Sequence, residues 1–413
     1  MSILDEARAR DAADPLARYR DRFILPDGII YLDGNSLGAL PRATPARLAQ
    51  VVESEWGDGL IRSWNAAPGG GPGWIGLPRR VGGKIAALIG AKPHEVVACD
   101  STSVNLHKLI AAALMMQPGR RVILSEPGNF PTNLYMIAGL EAQGLCERRL
   151  VPSERLAAAL GEPDVALLLL THVHYKTGAM HDMAALSRAA RKAGVLTLWD
   201  LSHSAGAVEL DLEAAGVDLA VGCGYKYLNG GPGAPAFAYA AERHHDRLRQ
   251  PLTGWFGHAR PFAFVDDYDP ARGIDRLLAG TPPVLGLAAL EVGVDLVGEI
   301  GIAPLAAKSR ELSGFFLNCL EELNVALECV SPPDPLRRGS QLSFRHADAF
   351  AVCQALIARG VVGDFRAPDV LRLGFAPAYL RFADMAQAAR HLADILRSGE
   401  WREERFQTRS AVT

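Results

Sequence analysis

The sequence predicts an α/β protein built on a mostly parallel sheet with helices on both faces. Three observations predict it. Short apolar runs alternate with helical stretches from about Lys92 to Tyr239. The chain has 413 residues, 49% of them hydrophobic, which is too much for one core of usual size and enough for two domains. Turns rich in glycine or hydroxyl groups fall just past several apolar runs, where sheets of this kind collect ligands.

The elements follow in order. Glu95–Cys99 reads as a strand and Val104–Met116 as the helix after it. Arg121–Ser125 is the next strand, followed by a helix over Asn133–Ala142. Val165–Leu170 is the longest strongly apolar run and has the length of a buried strand. A helix at Met183–Ala193 separates it from a strand at Val195–Trp199. Leu219–Val221 and Ala236–Ala240 are the last strands, with a Gly-rich loop between them. Strand–helix–strand repetition of this kind implies right-handed parallel crossovers. The Gly- and Pro-rich stretch Ala66–Pro78 is expected to be a loop near an entrance. Thr281-Pro-Pro is another break, after which a helix at Val284–Leu296 leads to a second α/β section from about Leu305 to Arg397. Trp401–Thr413 is polar and is expected to fray or wrap on the surface.

Composition excludes several functions. A formal net charge of −3 offers no general attraction to nucleic acid or anionic lipid. No apolar run reaches membrane-spanning length, and Met1–Arg20 is charged throughout, without a signal-peptide core. The cysteines Cys99, Cys146, Cys223, Cys319, Cys329 and Cys353 form no CxxC pair and sit in apolar segments. They read as reduced, mostly buried thiols of a cytoplasmic enzyme.

The segment Gly222-Cys-Gly-Tyr-Lys226-Tyr-Leu-Asn-Gly-Gly-Pro-Gly233 follows an apolar strand. Glycine lets a ligand approach the backbone closely. A desolvated lysine there loses proton affinity and becomes a nucleophile able to form an imine. Taken alone, Lys226 reads as a surface lysine on a turn; the flanking Tyr225 and Tyr227 suggest a packed wall instead. In Trp199-Asp200-Leu-Ser-His203-Ser-Ala-Gly, Asp200 ends a strand and faces the ligand crevice. A buried carboxylate needs a cationic partner, and the protonated ring nitrogen of a pyridine cofactor is one. Asp200 could equally cap a helix, and His203 could pack over a ring or be a core histidine.

Asp100-Ser101-Thr102-Ser103-Val-Asn105 lies between a strand and a helix and offers hydroxyls, N–H groups and a positive dipole to a phosphate. It could also be a plain N-cap. There is no GxxxxGK and no GxGxxG in a strand-to-helix setting, so a dinucleotide site is not expected. In Gly128-Asn-Phe130-Pro131-Thr132-Asn133, Phe130 could stack on a planar ring or simply be core. Arg372 and Arg381 are candidates for a substrate carboxylate, and Arg372 sits in an apolar stretch where an arginine needs a reason. His172, His174 and His181 do not have zinc spacing, so no metal is expected. No GxSxG elbow supports a serine hydrolase.

The ordered set is stronger than any member: hydroxyl loop, aromatic turn, strand-end aspartate, then lysine on a glycine loop. Asp200-Leu-Ser-His203-Ser-Ala-Gly with Gly224-Tyr-Lys226-Tyr-Leu-Asn-Gly-Gly-Pro-Gly resembles the kynureninase family, within the fold-type-I pyridoxal 5'-phosphate (PLP) enzymes. Tyr31-Leu-Asp-Gly-Asn35-Ser36-Leu-Gly38, Ser103-Val-Asn-Leu-His107, Gly254-Trp255-Phe-Gly-His258 and Thr281-Pro-Pro also match. The resemblance runs from about Ile30 to Phe382.

It implies a large PLP-binding domain with a mostly parallel seven-stranded sheet over residues 55–290. A smaller α/β domain would follow over 291–413, with an N-terminal segment, 1–54, packing against it. It implies that Lys226 carries PLP as an imine, that Asp200 pairs with the pyridine nitrogen and that Phe130 stacks on the ring. Thr102, Ser103 and Tyr225 are expected at the phosphate, with Trp255 and Thr281 reaching it from the second subunit of a homodimer. Pro131, Thr132, Asn133, Thr171 and His203 are expected around the cofactor, Arg372 at the substrate α-carboxylate, and Ser36 and Trp64 in the substrate pocket. Tyr225 is also a proton-donor candidate. Where this chain has Asn133 the family usually has aspartate, so the charge near the ring differs. The implied reaction is hydrolysis of L-kynurenine to anthranilate and L-alanine in tryptophan catabolism, with a link to NAD biosynthesis. 3-Hydroxykynurenine is a further candidate; Thr281 and Trp64 lean toward kynurenine. The alternatives are a cysteine desulfurase or related PLP lyase, which would need a mobile catalytic cysteine, and a PLP-fold binding module.

Overall fold

The computed structural model describes residues 2–408, so part of the expected surface tail, 409–413, lies outside the described residues. The larger sheet has seven strands: β1 (Val96–Ala98), β2 (Val122–Ser125), β3 (Glu147–Leu150), β4 (Val165–Thr171), β5 (Leu196–Asp200), β6 (Leu219–Gly222) and β7 (Phe237–Ala240). Their spatial order is β1-β7-β6-β5-β4-β2-β3. Strands β2 to β6 run parallel, while β7 is antiparallel to both β6 and β1. The centre is apolar on both faces, as a sheet covered on both sides requires: every residue of β4, β5 and β6 is buried. Two apolar clusters, one on each face, contain these strands.

Strand β3 was not expected from the sequence. Its residues Glu-Arg-Arg-Leu carry no apolar period, and none is buried. It pairs only with β2, at the sheet edge, where polar and charged side chains are tolerated. The other expected elements form with small shifts at their ends. Helix α1 (Thr102–Met116) begins two residues earlier than expected, capped by the Ser101 side chain, which accepts from the Val104 N–H. Helix α2 (Pro131–Ala142) begins at Pro131, where a missing N–H costs nothing.

Register positions the chemistry. Across β4 and β5, Thr171 lies opposite Asp200, and Asp200 lies opposite Val221 of β6. The carboxyl ends of three strands therefore finish at one level. The loop after β6 carries Lys226 back over that edge.

A second, antiparallel sheet has strands β8 (Glu328–Cys329), β9 (Gln341–Arg345), β10 (Asp364–Arg366) and β11 (Val370–Gly374), in the order β8-β9-β11-β10. The N-terminal region joins this part of the chain: Ile30–Tyr31 pairs in parallel with Val361–Val362. The expected boundary at residue 290 falls inside the helix Val284–Ile300. After residue 398 the chain forms short turns, with Phe406 buried rather than frayed. Among the described residues, no helix is long and apolar enough to cross a membrane.

Candidate active site

A cleft with about 580 Å³ of empty space opens at the carboxyl edge of the sheet. Its walls contain the hydroxyl loop (Thr102, Ser103), the aromatic turn (Phe130, Thr132, Asn133) and Thr171. They also contain Asp200, His203, Tyr225 and Lys226. The structure thus brings together most of the residues singled out in the sequence. Tyr175, Ser202, Cys223 and Leu106 complete the lining and were missed. Ser202 had a local signal, since a serine two residues after an aspartate commonly bonds back to it.

Asp200 is held by three donors. Its Oδ1 accepts from the Ser202 N–H at 2.9 Å and the Ser202 hydroxyl at 2.6 Å, and its Oδ2 accepts from Asn133 Nδ2 at 3.1 Å. It is 2% exposed, and no lysine or arginine forms an ion pair with it among the described residues. A buried carboxylate in that position is prepared for a cation supplied from outside.

Lys226 is also buried, and its Nζ lies 2.9 Å from His203 Nε2. Burial lowers the proton affinity of the amine; the charges of Arg372 and Arg366 act the same way, while Cys223 and Asp200 oppose it. Burial, then the Lys226 charge, holds His203 well below its ordinary range. The lysine therefore faces a neutral imidazole whose other nitrogen, Nδ1, has no partner among the described residues. Lys226 Nζ sits 5.8 Å from the Phe130 ring centre and 5.9 Å from that of Tyr225. Burial raises the Tyr225 hydroxyl above its ordinary value, so it keeps its proton at neutral pH.

The loop is fixed from outside as well. The Gly38 N–H donates to the Tyr225 carbonyl at 2.8 Å. A Cβ on Gly38 would run into the Lys226 carbonyl oxygen and the Asn229 backbone, so only glycine fits there. The Tyr227 hydroxyl donates to the Ser340 carbonyl at 2.9 Å, tying the loop to the chain just before β9.

Thr102 and Ser103 occupy the first turn of α1, whose leading N–H groups have no partners within the helix. Thr102 Oγ1 lies 3.2 Å from Cys223 Sγ, which in turn donates to the Ser202 hydroxyl.

Arg372 lies beside the cleft rather than in its wall. On β11 it pairs across the ladder with Asp364 on β10. Its Nε donates to Asp364 Oδ1 at 2.8 Å, one terminal nitrogen donates to Asp364 Oδ2 and to Ser36 Oγ, and the other donates to the Tyr175 carbonyl at 2.6 Å. Arg366 donates to the same Asp364 oxygen and to Ser36. Burial alone would raise Asp364, but Arg372 and then Arg366 outweigh it and hold the carboxyl below its usual range. Asp33 lies against this cluster. Burial, then the Asp364 charge, pushes its carboxyl up to about 7. Arg381 is engaged elsewhere, with Asp384.

Trp64 and Trp255 are not in the cleft wall of the single chain. Trp64 packs on Trp74 and Phe256, and Trp255 packs on Phe256 and Phe262. This aromatic group runs out to exposed Phe262 and Phe264, and Thr281 is exposed. The three histidines considered for a metal are engaged separately: His172 with Ser204, His174 with the Gly128 carbonyl and His181 with Glu126.

A buried lysine of lowered proton affinity beside an aspartate without a cationic partner, on a seven-stranded sheet of this order, defines a fold-type-I PLP enzyme. The solved structures agree on the fold. A cysteine desulfurase from Thermococcus onnurineus NA1 superposes with a TM-score of 0.78 at 18% identity, covering 92% of this chain and 98% of that one. A C-DES mutant with glycine covalently linked to its PLP cofactor gives 0.77 at 18% identity, covering 91% and 99%. The sequence comparisons are more specific. The model of the kynureninase C-terminal domain matches residues 305–392. Kynureninase from Burkholderia mallei is 48% identical over the full length of both chains, and kynureninase from Pseudomonas fluorescens is 47% identical, also over the full length of both. The chain belongs to the kynureninase family.

Proposed function

We propose that this chain hydrolyses the Cβ–Cγ bond of L-kynurenine to give anthranilate and L-alanine, with PLP held at Lys226. The observation that carries the proposal is the buried pair: a lysine whose burial favours the neutral amine, and an aspartate with no cationic partner, in one cleft. The residues fit the cofactor. The amine is available for its carbonyl and the carboxylate for its ring nitrogen. Two buried polar atoms, Asn133 Oδ1 and His203 Nδ1, lack partners among the described residues.

When bound, PLP supplies an electron sink for charge released at the substrate carbons. Asp200 would hold the ring nitrogen protonated, Phe130 would cover one face, and Thr171, His203, Asn133, Pro131 and Thr132 would border the ring. Thr102 and Ser103, with the first turn of α1 and Tyr225, would hold the phosphate. The Lys226 amine would be the base for the α-proton, and its lowered proton affinity suits that task. Tyr225, which retains its proton, is the donor for the carbon left after cleavage. Arg372 and Ser36 would receive the α-carboxylate, and Trp64 would border the aryl group. Residues 1–54, 55–290 and 291–413 would serve as N-terminal segment, cofactor domain and small domain. The pairing of Ile30–Tyr31 with Val361–Val362 supports the first of these assignments.

Incubating purified holoprotein with L-kynurenine should release anthranilate, read by its fluorescence, and L-alanine in equal amounts. Absence of both with kynurenine and with 3-hydroxykynurenine rejects the reading. A desulfurase is disfavoured by the cysteines: Cys353 is fully buried in the helix Ala349–Ala358, and Cys329 lies in β8. Cytoplasmic residence is supported by six free thiols.

A homodimer is supported by the exposed aromatic edge, in which Phe264 is 79% exposed beside the group that contains Trp255. Phe264→Asp should shift the protein toward a single-chain mass in light scattering and weaken cofactor retention, since Trp255 and Thr281 would no longer reach a neighbouring site. An unchanged mass would reject this edge as the interface.

Asp33 gives a pH prediction. Its folded-state carboxyl titrates near 7, above its unfolded value of 3.8. The folded chain therefore binds the proton more tightly, and this contribution is present below about 3.8 and lost as pH rises toward 7. Wild type should lose thermal stability across that window relative to Asp33→Asn. At pH 8 the variant should be more stable, by about 1–3 kcal/mol. Parallel stability curves would refute it.

A further inference from the structure

Asn133 carries a pattern of hydrogen bonds that the scheme above does not use. The residue is wholly buried in the first turn of α2 and lines the cleft. Its Nδ2 faces three acceptors: Thr171 Oγ1 at 2.9 Å, Asp200 Oδ2 at 3.1 Å and Asn129 Oδ1 at 3.3 Å. The Thr171 hydroxyl spends its hydrogen on Asn129 Oδ1 at 2.6 Å, so toward Asn133 it can only accept. Asn129 Oδ1 is fixed as an acceptor too, because the Phe130 N–H also donates to it at 2.7 Å. With acceptors on that side, the amide has one workable orientation, and its carbonyl Oδ1 is left buried without a partner. A buried amide carbonyl without a donor is costly, so the site is incomplete without a ligand that provides one.

We propose that Asn133 is the positioning residue of the cofactor's ring-nitrogen site. Nδ2 fixes the Asp200 carboxylate through Oδ2, and Oδ1 offers a second, uncharged acceptor beside it. This inference rests on the PLP reading. The pair Asn133–Asp200 then presents two acceptor groups and one negative charge. The other titratable groups in the cleft walls are His203, Cys223, Tyr225 and Lys226 from the two loops above and Tyr175 at the side. None of them donates to Asn133.

The chemistry of the alternative makes this testable. An aspartate at position 133 would face Asp200, Thr171 Oγ1 and Asn129 Oδ1 with no donor of its own. Two carboxylates at that distance cannot both ionise freely, so one would take up a proton near neutral pH. In Asn133→Asp, the cofactor-free protein should therefore lose more thermal stability with rising pH than wild type, in which only the Asp33 loss operates. Cofactor retention should tighten with rising pH, as the second charge appears. In wild type and in the near-isosteric Asn133→Leu, neither change beyond the shared Asp33 loss should appear. Asn133→Leu should bind PLP about tenfold more weakly, because Asp200 has lost a donor and the ring nitrogen an acceptor.

The measurements are thermal melts of cofactor-free protein from pH 6 to 9 and PLP dissociation constants followed by visible absorbance. Superimposable pH profiles for wild type and Asn133→Asp would overturn the proposal, as would wild-type PLP affinity in Asn133→Leu. If Asn133→Asp does not fold, the affinity of Asn133→Leu decides alone. Failure of wild type itself to bind PLP would instead reject the cofactor reading.

Discussion

Lys226→Ala is expected to abolish turnover and the visible absorption of lysine-bound cofactor while leaving the fold intact. Two losses combine. The amine that anchors the cofactor is gone, and so is the base for the α-proton. The second alone is worth about 10²–10⁴-fold in rate. The fold should survive because, among the described residues, the Lys226 amine has a single side-chain hydrogen-bond partner, His203 Nε2, and burial already disfavours its charge. Removing it creates a small space in a cleft that is open in any case. Circular dichroism and melting of the cofactor-free protein should match wild type, while anthranilate release falls to background. A small primary amine added in solution should restore part of the rate, since it can take the proton in place of the missing side chain. Undiminished turnover by the variant would sink the assignment of Lys226, whatever the substrate.

Arg372→Leu is the second large effect, and it should act on stability and on substrate at once. Breaking a buried ion pair from one side costs about 3–5 kcal/mol, because the remaining charge is stranded. Here Arg366 still reaches Asp364, so the lower end is expected. For the substrate, loss of a charge-assisted carboxylate site should lower kcat/KM by about 10²-fold, mostly through KM. The double variant Arg372→Leu/Asp364→Asn separates the two. It removes the stranded charge, so stability should largely return while kcat/KM stays low. Recovery of kcat/KM in the double variant would show that Arg372 supports the fold and does not meet the carboxylate. The geometry makes this a real question, since Asp364, Ser36 and the Tyr175 carbonyl already occupy most of the guanidinium's donors.

How much of this was legible in the sequence depends on how local each signal was. Asp200 and Lys226 stood out because each follows an apolar run, and a side chain just past a parallel strand has one place to go. The Thr102–Ser103 turn was legible for the same reason, although a cap and a phosphate seat look alike until the opposite wall is known. Strand β3 was hidden because an edge strand needs no apolar face. The engagement of Arg372 was hidden differently. Asp364 is near it in sequence, but the pairing depends on the register of the β10–β11 hairpin, and Ser36 arrives from the far end of the chain. Trp64 was read as a substrate-pocket residue and Trp255 as a phosphate contact from a second subunit; their shared packing around Phe256 appears only in three dimensions. Tyr175 gave no signal, since a tyrosine in a loop has many possible uses.

The clamp on the Lys226 loop has a consequence for how the cofactor seat is assembled. The loop is closed by Gly38, far before it in the sequence, and by Ser340, more than a hundred residues after the lysine. Until Ser340 is in place, Tyr227 lacks this anchor and the loop that carries the lysine is held from one side only. Capture of the cofactor at Lys226 thus depends on contacts distant in sequence and not on the glycine loop alone.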